Sequence, residues 1–219
     1  MNRSSLPLLG LVIPAALLAA WWLATHSGGI APVLLPSPEA VWEAFVRMAA
    51  DGSLAAHIGM SAMRTMTGFV LAAAFGIGCG VWFAVRPAAA AASHFVIEFL
   101  RLTPPLALIP VLILWLGIDE APKIAIVFLS SFFPIYLSAL TAVKGIDPKL
   151  AEVAELLRFT SAERFRMLTL PAAMPGILAG LRMGFGYSWR ALVGAELIAA
   201  SSGLGFLITE SSEFGKTDV

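Results

Sequence analysis

Residues 147–171 read DPKLAEVAELLRFTSAERFRMLTLP, and this stretch decides how the rest of the chain is understood. It is a polar segment between two apolar runs, built as a helix, a turn and a second helix. Asp147 has a capping side chain, and Pro148 takes the first helical position, where a missing N–H costs nothing. Leu150, Val153, Ala154 and Leu157 then recur at i, i+3, i+4 and i+7, which lays an apolar stripe along one face. Thr160 and Glu163 have the spacing of a capping box for a second helix with Phe165 and Leu168 on one side, and Pro171 is expected to end it. Two short amphipathic helices need a surface to cover. It is either the chain's own bundle or a groove on a partner.

The flanking composition says where that helix pair stands. Of 219 residues, 59% are hydrophobic and 13% charged, with a mean hydropathy of +0.87. A soluble domain carries roughly 25% charged residues, so lipid is the natural solvent for this chain. Fourteen Lys plus Arg balance fourteen Asp plus Glu, which gives no electrostatic reason to expect a nucleic-acid partner. Cys79 is the only cysteine, so no internal disulfide can form. His26, His57 and His94 are about thirty residues apart, not at metal-ligand spacing on one helix.

A bilayer core takes about 20 apolar residues per helix. Five stretches supply them: residues 6–25, 66–85, 95–117, 123–143 and 176–200. The first has a single n-region charge at Arg3 and no small-x-small site before Thr25, so it reads as an uncleaved helix. With the N-terminus inside, the cytoplasmic segments hold Arg3, Arg86, Arg101, Lys144, Lys149, Arg158, Arg164 and Arg166. The outer segments hold Arg47, Arg64, Lys123 and Lys216. This excess of inner cations places the N-terminus and residues 144–175 in the cytoplasm. Five spans leave the polar end, Ser211 to Val219, outside.

Between the spans, residues 37–50 have the pattern of an amphipathic helix. Ser37 caps, Pro38 takes the first turn, Val41, Trp42, Phe45 and Val46 form one face, and Glu39, Glu43 and Arg47 lie opposite. It suits the outer membrane surface or a packing role. The third span contains Thr103-Pro104-Pro105 and Pro110, so a kinked or broken helix is expected, either lining a pathway or shaping the bundle. In the fifth, Gly176, Gly180, Gly184 and Ser188 recur every four residues, a stripe on which another helix backbone can approach closely. Arg182, Arg190 and Glu196 lie in the same span, where charge is costly. Arg182 is near enough to the cytoplasmic end to snorkel. Arg190 and Glu196 are too far around the helix to pair, so each is expected to face another helix or an aqueous cavity. Trp189, Arg190, Glu196 and Pro110 are the candidates for a translocation pathway.

The run Leu150-Ala151-Glu152-Val153-Ala154 followed by Leu168-Thr169-Leu170-Pro171 resembles the EAA motif of permease subunits in binding-protein-dependent ABC importers. That pattern is E-A-A, three residues, G, nine residues, I-x-L-P. Glu152, Ala154, Leu168, Leu170 and Pro171 match it with every interval kept. Val153 stands for the first alanine, and Arg158 stands where the motif has the glycine that permits a left-handed turn. Leu35-Pro36-Ser37-Pro38, Ser61 with Arg64 and Gly68-Phe69, Leu108-Ile109-Pro110 through Trp115-Leu116-Gly117, Phe133-Pro134-Ile135, and Ala179-Gly180-Leu181-Arg182 through Gly203-Leu204-Gly205 resemble the subgroup that imports nitrate, sulfonates, taurine, bicarbonate or pyrimidine precursors.

The resemblance implies an all-α, polytopic membrane fold of the type I ABC importer permease kind, with a sixth span beyond residue 219. It implies two copies of this subunit in the bacterial inner membrane, two cytoplasmic ATPase subunits and a solute-binding protein outside. Glu152, Val153, Ala154, Leu157, Arg158, Thr160, Leu168, Leu170 and Pro171 would form the ATPase-coupling loop. ATP and Mg would be held by the partners, and this chain would bind no cofactor; it contains no G-x-x-x-x-G-K-[ST] loop. The implied solute is a small anion, for which Arg190 is a candidate attractor. The rival reading is a secondary carrier driven by an ion gradient, with Arg190 and Glu196 as its relay; the inverted repeats that would support it are not visible. An intramembrane enzyme lacks its signature too, since no H-E-x-x-H helix occurs.

Overall fold

The structure is a computed structural model and describes residues 6–218. The described residues are helical with no strand. They form two compact units, one of residues up to Gly59 and from Ser202 on, the other Met60–Ser201.

The first unit contains α1 (Leu6–His26), α2 (Pro38–Ala50), the start of α3 (Ser53–Val85) and α10 (Leu204–Glu213). Two tryptophans fold the connection back on α1. The Trp21 indole donates to the Pro36 carbonyl at 3.0 Å and the Trp22 indole to the Glu39 carboxylate at 2.8 Å. The Ser37 hydroxyl caps α2 by accepting from the Ala40 N–H, with Pro38 in the first turn. Trp42, Phe45 and Val46 are exposed, whereas Ala44 is buried. The aromatic face of α2 is thus left outside the protein packing, as a helix lying on a membrane surface requires. Gly203 adopts φ +113° and its N–H donates to His57 Nδ1 at 3.0 Å.

The second unit holds most of α3, α4 (Pro87–Leu102), a 3-10 turn (Pro105–Leu108), α5 (Ile109–Leu116), α6 (Glu120–Lys144), α7 (Pro148–Leu156), α8 (Ser161–Glu163), a π-helical turn (Arg164–Thr169) and α9 (Leu170–Ala199). Ser53–Val85, Glu120–Lys144 and the continuous run Ser161–Ala199 are long and apolar enough to cross a membrane. A fourth candidate is the pair Pro87–Leu102 and Pro105–Leu116, bent by 90° at its break. That break falls at Thr103-Pro104-Pro105, where two adjacent residues have no N–H to give.

The third span begins earlier than the sequence suggests, at Pro87 in place of residue 95, and two further boundaries differ for identifiable reasons. The helix α3 begins at Ser53, far ahead of the apolar run at 66–85, because Ser61 and Arg64 find partners inside the bundle and do not interrupt it. Pro171 does not end the second helix of the 147–171 pair. The chain stays helical from Ser161 to Ala199, and the turn before the proline widens to the π register, with the Leu170 N–H donating to the Phe165 carbonyl. In a regular α-helix the Pro171 ring would crowd the carbonyl four residues back; the wider turn relieves that contact.

The centre of this unit is α6, gripped by two stripes of small residues. On α9, a Cβ placed at Gly176 would lie 2.5 Å from the Ala142 Cβ, at Gly180 2.5 Å from the Ser138 Cβ, and at Gly184 2.7 Å from the Ile135 side chain. The Ser131 hydroxyl donates to the Gly184 carbonyl at 3.1 Å. A second stripe runs along α3 through Gly68, Ala72, Gly76 and Gly80; a Cβ at Gly68 would come within 2.7 Å of Val127, and one at Gly80 within 2.7 Å of Ala139. In lipid no hydrophobic force draws helices together, so close backbone approach and its dispersion energy hold α3, α6 and α9 in contact.

Candidate functional site

The helix pair at 147–171 forms as its local chemistry requires. The Asp147 carboxylate accepts from the Lys149 N–H at 2.9 Å and Pro148 occupies the first turn of α7. The helix stops in a Schellman motif: the Phe159 N–H donates to the Ala154 carbonyl at 3.0 Å and the Arg158 N–H to the Glu155 carbonyl at 2.9 Å. Arg158 therefore takes the left-handed conformation, φ +54°, and is the only non-glycine with positive φ among the described residues. The turn that glycine would make in the motif is made here by arginine, at a steric cost of about 1–2 kcal/mol. Thr160 and Glu163 close a reciprocal capping box, with the Thr160 N–H donating to Glu163 at 2.8 Å and the Glu163 N–H to the Thr160 hydroxyl at 3.3 Å. Glu155 and Arg164 face each other at 3.9 Å across the turn.

The pair is poorly covered by its own chain. Ala154 and, in part, Leu168 and Leu170 turn inward, whereas Leu150, Val153, Leu156, Leu157, Phe165 and Met167 are exposed. Glu152, Arg158, Thr160 and Pro171 are exposed as well. Leu156 is 84% exposed, a large apolar side chain presented to water unless another molecule covers it.

The four pathway candidates are not gathered at one place. Glu196 is buried and its carboxylate accepts from Arg64 Nη1 at 2.6 Å and from the Ser61 hydroxyl at 2.9 Å to each oxygen. Arg64, itself fully buried, also donates through Nη2 to Glu120 at 2.8 Å and through Nε to the same carboxylate. Lys123 lies 3.4 Å from Glu120 and donates to the Asp119 carbonyl at 3.2 Å. This network stitches α3, α6 and α9 together. Arg64 and Lys123 are thus interior groups on helices, not the outer-loop cations that charge counting takes them for. Glu196 asked for a partner, but several cations could have answered, and only packing selects Arg64.

Arg190 stands elsewhere. It lines a cavity of about 440 Å³ bounded by Arg101 and Leu106, by Ser130 and Phe133 of α6, and by Tyr187 of α9. The Arg190 guanidinium lies 6.0 Å from the centre of the Tyr187 ring. Arg101 pairs with Glu98 on its own helix, its Nε 3.0 Å from the carboxylate. Trp189 and Pro110 are exposed and do not line this cavity.

Comparison with known proteins is consistent along nearly the whole chain. The family model described as "Binding-protein-dependent transport system inner membrane component" matches residues 72–219. The taurine transport system permease protein TauC of Escherichia coli K12 is 38% identical over 210 residues, 94% of this chain and 76% of TauC. SsuC of Bacillus subtilis 168, a permease protein named for aliphatic sulfonate transport, is 35% identical over 209 residues, 95% of this chain and 76% of SsuC. The nitrate import permease protein NrtB of Synechocystis is 30% identical over 206 residues, 90% of this chain and 74% of NrtB.

Proposed function

We propose, from the premise that this chain belongs to the family of binding-protein-dependent transport system inner membrane components, how its helices couple to import. It is a multi-pass ABC importer permease of the sulfonate, taurine and nitrate group, and that membership favours ATP-driven import over the secondary carrier. In the reading proposed here, two copies form the pathway with the N-terminus in the cytoplasm, and two cytoplasmic ATPases hold ATP and Mg and hydrolyse the nucleotide. A solute-binding protein delivers a small anion, an aliphatic sulfonate, taurine, nitrate or bicarbonate, from the far side. The permease carries no cofactor and contributes no catalytic group.

The observation that carries this reading is the uncovered apolar face of residues 150–167 on a doubly capped helix pair with EAA spacing. Such a projection suits insertion into a groove on the ATPase. Of the residues expected to make the contact, Glu152, Leu157, Arg158 and Thr160 are exposed and form it, whereas Ala154 is buried and Leu168 partly buried within the chain itself; Val153, Leu170 and Pro171 complete the motif. Because the π turn joins this contact to α9 without a break, closing of the ATPase pair would be transmitted as a rigid-body tilt of α9 and the helices packed on it. Arg190, Trp189, Glu196 and Pro110 remain the pathway candidates, and Arg190 is the one that lines a cavity.

The test is uptake by the permease reconstituted in lipid with its ATPase and binding protein. Glu152→Ala is expected to leave ATP hydrolysis running while solute uptake per ATP falls. Uptake that follows an imposed ion gradient with no ATPase bound would refute the reading.

A further inference from the structure

The cavity beside Arg190 combines two kinds of wall. Its lining includes two arginines, Arg101 and Arg190, with Ser130 and Tyr187; the remainder is apolar, from Leu106, Phe133 and Leu137 among others. Its volume, about 440 Å³, is within the roughly 300–1,000 Å³ usual for small-molecule sites. Glu98 offsets Arg101, whereas Arg190 has no acidic partner among the ion pairs of the described residues, so the cavity carries net positive charge. A bare inorganic anion would leave the apolar wall unused. A zwitterion would bring an ammonium into a space whose charged groups are guanidiniums.

We infer that the Arg101–Arg190 cavity is a transient site for an organic anion with a short unbranched apolar tail, an alkanesulfonate in preference to taurine or nitrate. The sulfonate meets the guanidiniums through charge-assisted hydrogen bonds, and the tail lies on Phe133, Leu106 and Leu137. Burial of each methylene then tightens binding about fourfold. The inference rests on the importer reading and narrows its solute class. It concerns the membrane cavity alone, since a separate binding protein would impose its own selection before the solute arrives.

The experiment is equilibrium binding of radiolabelled butanesulfonate to the permease–ATPase complex in nanodiscs without binding protein, with ethanesulfonate, taurine and sodium nitrate as competitors. The expected order is butanesulfonate, then ethanesulfonate weaker by about fifteenfold for two methylenes, then taurine and nitrate weaker still. Arg190→Gln is expected to weaken every anion by about tenfold or more, Arg190→Lys to recover part of that loss, and Phe133→Ala to flatten the dependence on chain length. Arg182→Gln, on the same helix outside the cavity, serves as the control. Equal binding of nitrate or taurine, or an unchanged Arg190→Gln complex, overturns the inference. So does an Arg190→Gln complex that falls apart on gel filtration, because the cavity would then be a contact between subunits. ATP-driven uptake by the parent, measured separately with binding protein added, isolates the two ideas. Uptake without the chain-length order removes only the cavity assignment, and absence of both uptake and an ATPase complex removes the importer reading with it.

Discussion

Replacing Arg64 by methionine removes the cation shared by two carboxylates, and the structure fixes which of them suffers. Glu120 is 39% exposed at its side chain and keeps Lys123 at 3.4 Å. Glu196 has no exposed side-chain surface, and Arg64 is the cation nearest its carboxylate among the ion pairs of the described residues, at 2.6 Å. Breaking a buried ion pair by deleting one partner costs about 3–5 kcal/mol, and the whole of that range applies to the Glu196 side. Glu196→Gln is a milder change, since the amide oxygen still accepts from Arg64, which keeps Glu120; a loss of about 1–2 kcal/mol follows from weakening one charge-assisted hydrogen bond. The double variant Arg64→Met, Glu196→Met removes both buried charges and should recover most of the loss of Arg64→Met, because two apolar side chains of similar length carry no desolvation penalty. The single cysteine supplies the assay. Cys79 is partly buried in α3, so a thiol-reactive fluorophore reports its exposure on heating. At about 2–4 °C per kcal/mol for a chain of this size, Arg64→Met should melt roughly 10 °C below the parent. The reasoning is refuted if Arg64→Met melts with the parent, or if the double variant melts below the single.

The same melting assay separates two glycines of α9. Gly180→Ala forces a Cβ to within 2.5 Å of the Ser138 Cβ and should cost about 1–3 kcal/mol by overpacking, whereas Gly186→Ala, with nothing within 4 Å, should be neutral or stabilise by up to about 1 kcal/mol through helix propensity; equal effects would mean that α6 and α9 are not in close contact. At the turn after α7, Arg158→Gly relieves about 1–2 kcal/mol of left-handed strain against an entropic cost of about 0.5–1 kcal/mol. It should leave the melting point level or slightly higher, while β-branched Arg158→Val lowers it; a drop with glycine would show that the guanidinium makes a contact worth more than the strain.

Much of this protein is written locally and can be read from the sequence. The caps at Asp147 and Thr160, the stripe Leu150-Val153-Leu157, the break at Thr103-Pro104-Pro105 and the small-residue face of α9 depend on neighbours a few positions away, and each appears where the sequence places it. The departures arise from distant partners in one case and from unanticipated turns in two. A hydropathy window starts the second span at residue 66 because Arg64 is charged, yet the charge is neutralised by Glu120 and Glu196 from helices 56 and 132 positions along the chain. Pro171 looks like a terminus until a π turn absorbs it. Arg158 departs from the glycine of the motif but is held at positive φ by the two hydrogen bonds that close the turn.

The sequence by itself determined that the chain is a helical membrane protein with a capped, amphipathic helix pair at 147–171, because hydropathy and capping are properties of contiguous residues. Only the tertiary structure decided that Glu196 is stitched to Arg64 while Arg190 faces a cavity with Arg101. Both acidic and basic side chains in the fifth span carry the same need for a partner, and which need is met depends on what α3 and α6 bring alongside.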